Sequence, residues 1–263
     1  MKRQIVGICL VRDEDRFLDR VLRNALPFCD RMIVADHNSS DRTPEVVVGL
    51  AENDPRITYH RIESPSESHE MVSPYAGTPT WIFAVDGDEI YDPWRLRVLR
   101  EKILGGDLDR YWHVLGNVLH CDQLEGDRAW GYLARPSRSM TKLYNFGLIE
   151  RWEGPCSERL HGGDLRFHDG YHSNLCLALD RDSSFEDSSF RCLHTVFLPR
   201  SSRQPESQLH RPNIAEKLAY PRWRRGWYWL AEKFGRYPES RGKFENYRRG
   251  PRVEKEVSDF FSN

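Results

Sequence analysis

TPTWIFAVDGDEIYDP, residues 78–93, carries an apolar run straight into Asp86, Gly87, Asp88 and Glu89, three carboxylates within four positions. A short continuous apolar run bounded by turn residues reads as a strand buried on both faces, as in a parallel sheet. The charge therefore stands at the mouth of that strand. In open parallel sheets ligands bind just beyond the carboxyl ends of the strands, so a site is expected there.

Upstream, QIVGICLV (4–11), RMIVAD (31–36) and RITYHRI (56–62) are further strand candidates. Between them, RFLDRVLRNAL (16–26) sets Phe17, Leu18, Val21, Leu22, Ala25 and Leu26 on one helical stripe, and PEVVVGLAE (44–52) is a second helix. Thr43 suits the N-cap of that helix and Pro44 its first position, because proline lacks only an N–H that would be orphaned there. The polar stretch from Ser64 to Thr80 has room for a short helix. Strands and helices alternating in this way specify an α/β fold, a mainly parallel sheet with helices on both faces, because parallel strands need crossovers. Asp13, Asp36 and Asp86 then stand at the ends of three separate strands and converge on one crevice.

Downstream, Asp92 and Pro93 open a helix over PWRLRVLREKIL (93–104). RYWHVLGNVLH (110–120), TKLYNFG (141–147) and LRFHDGYH (165–172) then suggest antiparallel or irregular elements that complete the site. From Arg211 the chain reads as helical, with NIAEKLAYPRWRRGWYWLAEKF (213–234) placing Trp223, Trp227 and Trp229 among Arg222, Arg224 and Arg225. The expected organisation is one domain over residues 1–200, with halves at 1–105 and 106–200, and a helical, basic, aromatic extension over 201–263.

With 263 residues, 39% hydrophobic, 30% charged and a net charge of -1, the chain is globular, and nothing global marks a nucleic-acid binder. Charge is uneven: from residue 201 onward 14 Lys and Arg face 8 Asp and Glu, so the tail is the basic part. Tryptophan and arginine together suit an interfacial helix on anionic lipid or a stacking surface for sugars or bases; an aromatic core with solvated arginines is the plainer reading. No apolar run approaches the roughly 20 residues that cross a bilayer, and the first residues regain charge too soon for a secretory segment. The expectation is a cytoplasmic protein, with peripheral contact at the inner membrane face through the C-terminal region. Six cysteines without a Cys-x-x-Cys pair read as reduced, structural thiols.

Two carboxylates one residue apart, as at Asp86 and Asp88, can share a hard divalent cation, and Gly87 between them lets the chain turn tightly. Such a cation would neutralise a diphosphate; the alternative is that these acids only cap the following helix. Asp36, directly after its strand, is where nucleotide folds put an acceptor for base or ribose, whereas Asp41 suits a cap.

ICLVRDEDRFL (8–18), IVADHNSSDRT (33–43) and WIFAVDGDEIYDP (81–93), in this order and spacing, resemble the nucleotide-sugar half of family 2 glycosyltransferases. The resemblance departs from the usual pattern at Arg12-Asp13-Glu14-Asp15, where Lys-Asn-Glu-Glu is common, and at Asn38, in place of a glycine. It covers roughly the first 100 residues and implies the glycosyltransferase A fold. A fourth segment, LIERWEGPCSERLHGGD (148–164), is similar to the Trp-x-Gly-x-x-His-Glu stretch of lipopolysaccharide-core-type members, with the glutamate at Glu158 and Ser157 in place of the histidine.

The resemblance implies an inverting transferase that moves a sugar from a nucleotide-diphosphate donor to a hydroxyl acceptor, assisted by Mn2+ or Mg2+. The acceptor could be a glycan, a lipid-linked sugar or another hydroxyl compound. Val11, Arg12, Asp13, Glu14, Asp36, Asp86 and Gly87 are the expected nucleotide-sugar contacts. Asp86, Asp88 and a late histidine, His194, are the expected metal ligands; His194 lies within FRCLHTVFLPRSS (190–202), a strand candidate, where a buried structural histidine is the plainer reading. Glu158 is the expected base, because an attacking hydroxyl must lose its proton; Glu153 and Asp164 stand behind it, and a salt bridge from Glu158 to Arg151 or Arg159 is the plainer alternative. His168 and Tyr171, in a His-x-Gly-Tyr segment, are expected at the acceptor or the donor phosphates. Two other functions fit the same sequence: a nucleotidyltransferase, which would ordinarily show a glycine-rich phosphate loop, and a nucleotide-sugar-binding module without catalysis.

Overall fold

The computed structural model describes residues 2–133, 141–204, 227 and 246–262. Fourteen strands are described: β1 (Gln4–Val11), β2 (Arg31–Asp36), β3 (Ile57–Arg61), β4 (Thr80–Asp86), β5 (Glu89–Tyr91), β6 (His113–Leu115), β7 (Asn117–Glu125), β8 (Arg128–Leu133), β9 (Thr141–Asn145), β10 (Ile149–Glu158), β11 (His161–Phe167), β12 (Cys176–Ala178), β13 (Arg191–His194) and β14 (Arg252–Glu256). The described helices are α1 (Leu18–Ala25), α2 (Thr43–Asn53), α3 (Glu67–Val72), α4 (Pro93–Gly105) and α5 (Leu179–Asp182).

The main sheet has seven strands in the order β12-β6-β9-β4-β1-β2-β3. β1, β2, β3 and β4 are mutually parallel, and β9 enters antiparallel between β4 and β6. The α/β expectation therefore holds, with helices on both faces. Alternation along the strands decides which residues go where. Ile5, Cys9, Met32, Val34, Trp81, Phe83 and Val85 pack with Leu18 and Leu22 of α1, Val47 of α2 and Leu96 and Leu99 of α4. The intervening Val6, Ile8, Ile33, Ala35, Ile82 and Ala84 face the other way, onto Val72 of α3 and Trp152 of β10. Asp41 accepts the backbone N–H of Thr43, and Thr43 is the first residue of α2, with Arg42 in the cap position.

A second sheet, β14-β8-β7-β13-β5, carries the chain from the acidic turn into the second half. Its β5 leaves that turn directly, and β13 lies between β5 and β7, which puts His194 opposite Glu89 on one side and His120 on the other. The expected helical extension differs here, since Arg252–Glu256 is a strand paired antiparallel with β8. Arg252, Glu254 and Glu256 alternate with Val253 and Lys255, and such charge suits an edge strand that must not pair further. The predicted helix around Trp223 and Trp229 lies outside the described residues. No helix among the described residues is long and apolar enough to cross a membrane.

Candidate active site

Register builds the crevice. Leu10 pairs with Asp86 and Val11 with Asp36, so these two aspartates flank the carboxyl end of β1. The chain then leaves β1 through Arg12 and turns at Asp13, whose φ of 51° lies in the left-handed region. Asp13 Oδ1 accepts the N–H of Ser40 at 2.6 Å and of Asp41 at 3.3 Å, tying the β1 loop to the β2 loop. Asp36 is fully buried, with Oδ1 accepting from the Ser39 N–H and Oδ2 from the Tyr59 hydroxyl at 2.7 Å. Burial, followed by the bond to Asp36, pushes the Tyr59 phenol up to about 12.

Gly87 is required by what lies over it. A Cβ there would stand 2.3 Å from Glu14 Oε2 and 3.1 Å from Val11 Cγ1. The absent side chain lets Glu14 close over the acidic turn, where its Oε1 accepts from Arg200 at 3.0 Å.

Each acid of the turn meets a cation from the second half of the chain. Asp86 receives Lys142 of β9 on one oxygen and Arg159 on the other, the latter at 2.6 Å. Burial alone would raise the Asp86 carboxyl, but Arg159 and Lys142 outweigh it and hold the group well below the usual carboxylate range. Asp88 is 2% exposed and accepts from Arg200 at 2.8 Å, with His194 Nε2 3.5 Å from the same oxygen. Burial would raise Asp88 too, but Arg200 and then His194 bring it down. Glu89 behaves oppositely: burial raises it despite Lys142 at 3.5 Å, and it accepts the Tyr91 hydroxyl at 2.8 Å.

Asp88 and His194 are donor types that a divalent cation takes, one carboxylate and one imidazole, but the Asp88 oxygen that faces His194 also accepts from Arg200. The ring is anchored at Nδ1, which lies 2.8 Å from His120 Nδ1. Among the described residues no group of three or more ligating side chains is assembled, and both Asp86 oxygens face Lys142 and Arg159.

Glu158 ends β10 and pairs with His161, Oε1 to Nδ1 at 2.6 Å. Its neighbours divide otherwise than a simple salt bridge would require: Arg159 turns to Asp86, and Arg151 lies 3.4 Å from Glu153. Burial raises the Glu158 carboxyl, while the His161 bond and the Arg159 charge lower it further, so the net shift is downward. Ser157 is exposed and donates to the His161 carbonyl. Glu153 and Asp164 face one another across the exposed β10–β11 hairpin.

His168 and Tyr171 are not brought to the crevice. β10 runs toward the acidic end and β11 returns, pairing Phe167 with Ile149, so the chain after Phe167 is back at the amino edge of the sheet. Tyr171 there lines a separate cavity of about 590 Å³ with Lys2, Arg3, Pro79 and Trp81. Conversely, Lys142, Arg159, Arg200 and His120 enter the site without a sequence signal, since a lone cation or histidine in a strand or loop has no local pattern.

No protein-family model matches the sequence, and no curated protein matches it. Partial structural likeness extends to a mannosyltransferase from Pyrobaculum calidifontis in complex with GDP-Man and Mn2+, at 16% identity and a TM-score of 0.33, over 47% of this chain and 36% of that one. Glucosyl-3-phosphoglycerate synthase from Mycobacterium tuberculosis, in complex with Mn2+, UDP and glucosyl-3-phosphoglycerate, matches at 18% identity and a TM-score of 0.34, over 44% of each chain. 4-Diphosphocytidyl-2C-methyl-D-erythritol synthase from Anaerococcus prevotii matches at 12% identity and a TM-score of 0.35, over 56% of this chain and 72% of that one. The two transferases of sugars are matched over less than half of their length.

Proposed function

We propose that this chain is a glycosyltransferase that moves a sugar from a nucleotide-diphosphate donor to a hydroxyl acceptor with inversion. The observation that carries the proposal is convergence. Asp36, Asp86 and Asp88, from segments that resemble family 2 transferases, meet at the carboxyl ends of β1, β2 and β4 beside Lys142, Arg159 and Arg200.

Asp36, held at the end of β2 by the Ser39 N–H and the Tyr59 hydroxyl, would mark the base or ribose end of the donor site, reached once Tyr59 gives way. Val11, Arg12, Asp13 and Glu14, which lead the chain out of β1 beside Asp36, would contribute the neighbouring nucleotide contacts. Lys142, Arg159 and Arg200 are cations fixed in advance, and such groups stabilise charge that develops on a leaving diphosphate without reorganising. Mn2+ or Mg2+ held by Asp88 and His194 would add Lewis-acid neutralisation of that charge.

Glu158, a carboxylate at neutral pH like any ordinary glutamate, accepts the acceptor's proton as the hydroxyl oxygen bonds to the anomeric carbon. The bond from that carbon to the diphosphate oxygen breaks, and its electron pair leaves with the diphosphate. Glu158→Gln is expected to keep donor affinity and lower transfer about 10²–10⁴-fold, since the amide cannot take a proton. Unaltered turnover would place the base elsewhere.

The proposal is tested by thermal unfolding with UDP, GDP, TDP and CMP sugars, with and without Mn2+. A ligand held only by the folded state raises the Tm by mass action, so a metal-dependent rise with one sugar nucleotide is expected. A rise with free nucleoside triphosphates alone would favour a nucleotidyltransferase. Binding without turnover across acceptors would favour the non-catalytic module.

A further inference from the structure

Two phenols of the crevice are spent on its own carboxylates: Tyr59 donates to Asp36 at 2.7 Å and Tyr91 to Glu89 at 2.8 Å. Tyr247 is not spent in this way. It lies just ahead of β14, and among the described residues its hydroxyl makes no hydrogen bond. A phenol set beside carboxylates ordinarily donates to one of them, so a hydroxyl held back there calls for a reason.

Packing sets its place. The ring lies against His120, with centroids 4.2 Å apart, and meets His194 edge-on at 5.4 Å. His194 in turn is opposite Glu89 and has its Nε2 3.5 Å from Asp88. The next residue, Arg248, lies over the ring of Phe197, in the loop that goes on to Arg200. Burial pushes the Tyr247 phenol up to about 12; Asp88 adds to the rise, Lys142 opposes it, and Glu89 and Asp86 add further. Such influence fades with distance, so the ring stands close to the acidic turn and to Lys142.

We propose that Tyr247 binds the donor, its phenolic O–H donating to an oxygen of the sugar nucleotide's diphosphate. The inference rests on the proposed transferase reading. The carboxylates nearby already take their hydrogen bonds from Lys142, Arg159, Arg200 and Tyr91, which leaves the Tyr247 O–H for a ligand. Phosphoryl oxygens carry charge and only accept, and a hydrogen bond to a charged group is roughly twice as strong as one between neutral groups. A ring already fixed against two imidazoles meets such an oxygen without reorganising. The donor site is then completed by the C-terminal part of the chain.

Inorganic pyrophosphate, titrated calorimetrically into the full chain with Mg2+ present, is the probe. Tyr247→Phe keeps the ring and removes only the hydroxyl. Its Tm should match the wild type while pyrophosphate binds about 10–100-fold more weakly, the scale of one hydrogen bond to a charged group. Tyr247→Ala, which removes ring and hydroxyl together, is expected to lose at least as much. Wild-type affinity in Tyr247→Phe would overturn the inference whatever the alanine variant does, since the ring alone would then account for any loss. Weaker binding in Tyr247→Phe accompanied by a lower Tm would overturn it too, assigning the hydroxyl to folding. Absence of pyrophosphate binding in the wild type would instead overturn the diphosphate reading, and this inference with it.

Discussion

Asp88→Asn is expected to lower donor turnover by at least about 10²-fold at saturating Mn2+, the scale of losing one preorganised electrostatic group at a reacting centre. A neutral amide is a poor ligand for a hard cation, and the substitution reaches two neighbours as well. Arg200 keeps only Glu14 of its two carboxylates, and His194 loses the anion its Nε2 faces. On the proposed function, the carboxylate that would hold the cation and the guanidinium that would face the diphosphate are disturbed together. Steady-state turnover of the variant beside the wild type, with Tm recorded for both, is the check. Wild-type turnover would move the metal away from Asp88, and turnover lost together with ten or more degrees of Tm would assign Asp88 to folding.

Asp92→Ala carries the largest expected cost to stability. Asp92 caps α4, with Oδ1 accepting from the N–H of Trp94 at 2.9 Å and of Arg95 at 3.0 Å. Its Oδ2 accepts from Arg191 Nε at 2.9 Å and Nη2 at 2.6 Å. Both partners are buried, Asp92 to 1% and Arg191 to 5% exposure, and Arg191 lies over the rings of Phe185 and Phe260. Removing one partner of a buried pair typically costs about 3–5 kcal/mol, because the other charge is stranded. Loss of the cap adds about 1 kcal/mol. Against a total stability of roughly 5–15 kcal/mol this is a large fraction. Urea unfolding should show a lower midpoint with an unchanged slope. A loss under about 1 kcal/mol would mean that Asp259, 2.9 Å from Arg191 and largely exposed, suffices to hold the guanidinium.

The fold of the first hundred residues was legible because buried parallel strands announce themselves as uninterrupted apolar runs. β1 and β2 match QIVGICLV and RMIVAD residue for residue. Their ends also located the crevice, since the acids at strand ends are set by register and chain direction alone. The cations were not legible. Lys142 sits at the start of β9, Arg159 takes a φ of 29° at a hairpin turn, and Arg200 follows β13 in a loop. Each acquires meaning only through a partner more than fifty residues away. The misplacement of His168 and Tyr171 has the same origin, because a short motif does not say that β11 carries the chain back to the far edge.

The place of β14 sets an order of events during synthesis. Val257 and Phe260 belong to the core, β14 closes the edge of β8, and Asp259 completes the shell of Arg191. None of these contacts can form until translation has passed residue 260. At about 5–20 residues per second, the segment between Arg191 and Phe260 takes on the order of 3–14 seconds to make. Through that interval the nascent second sheet keeps an open strand edge and an uncovered aromatic face, so the ribosome-bound chain is a natural client for chaperones that shield exposed apolar surface.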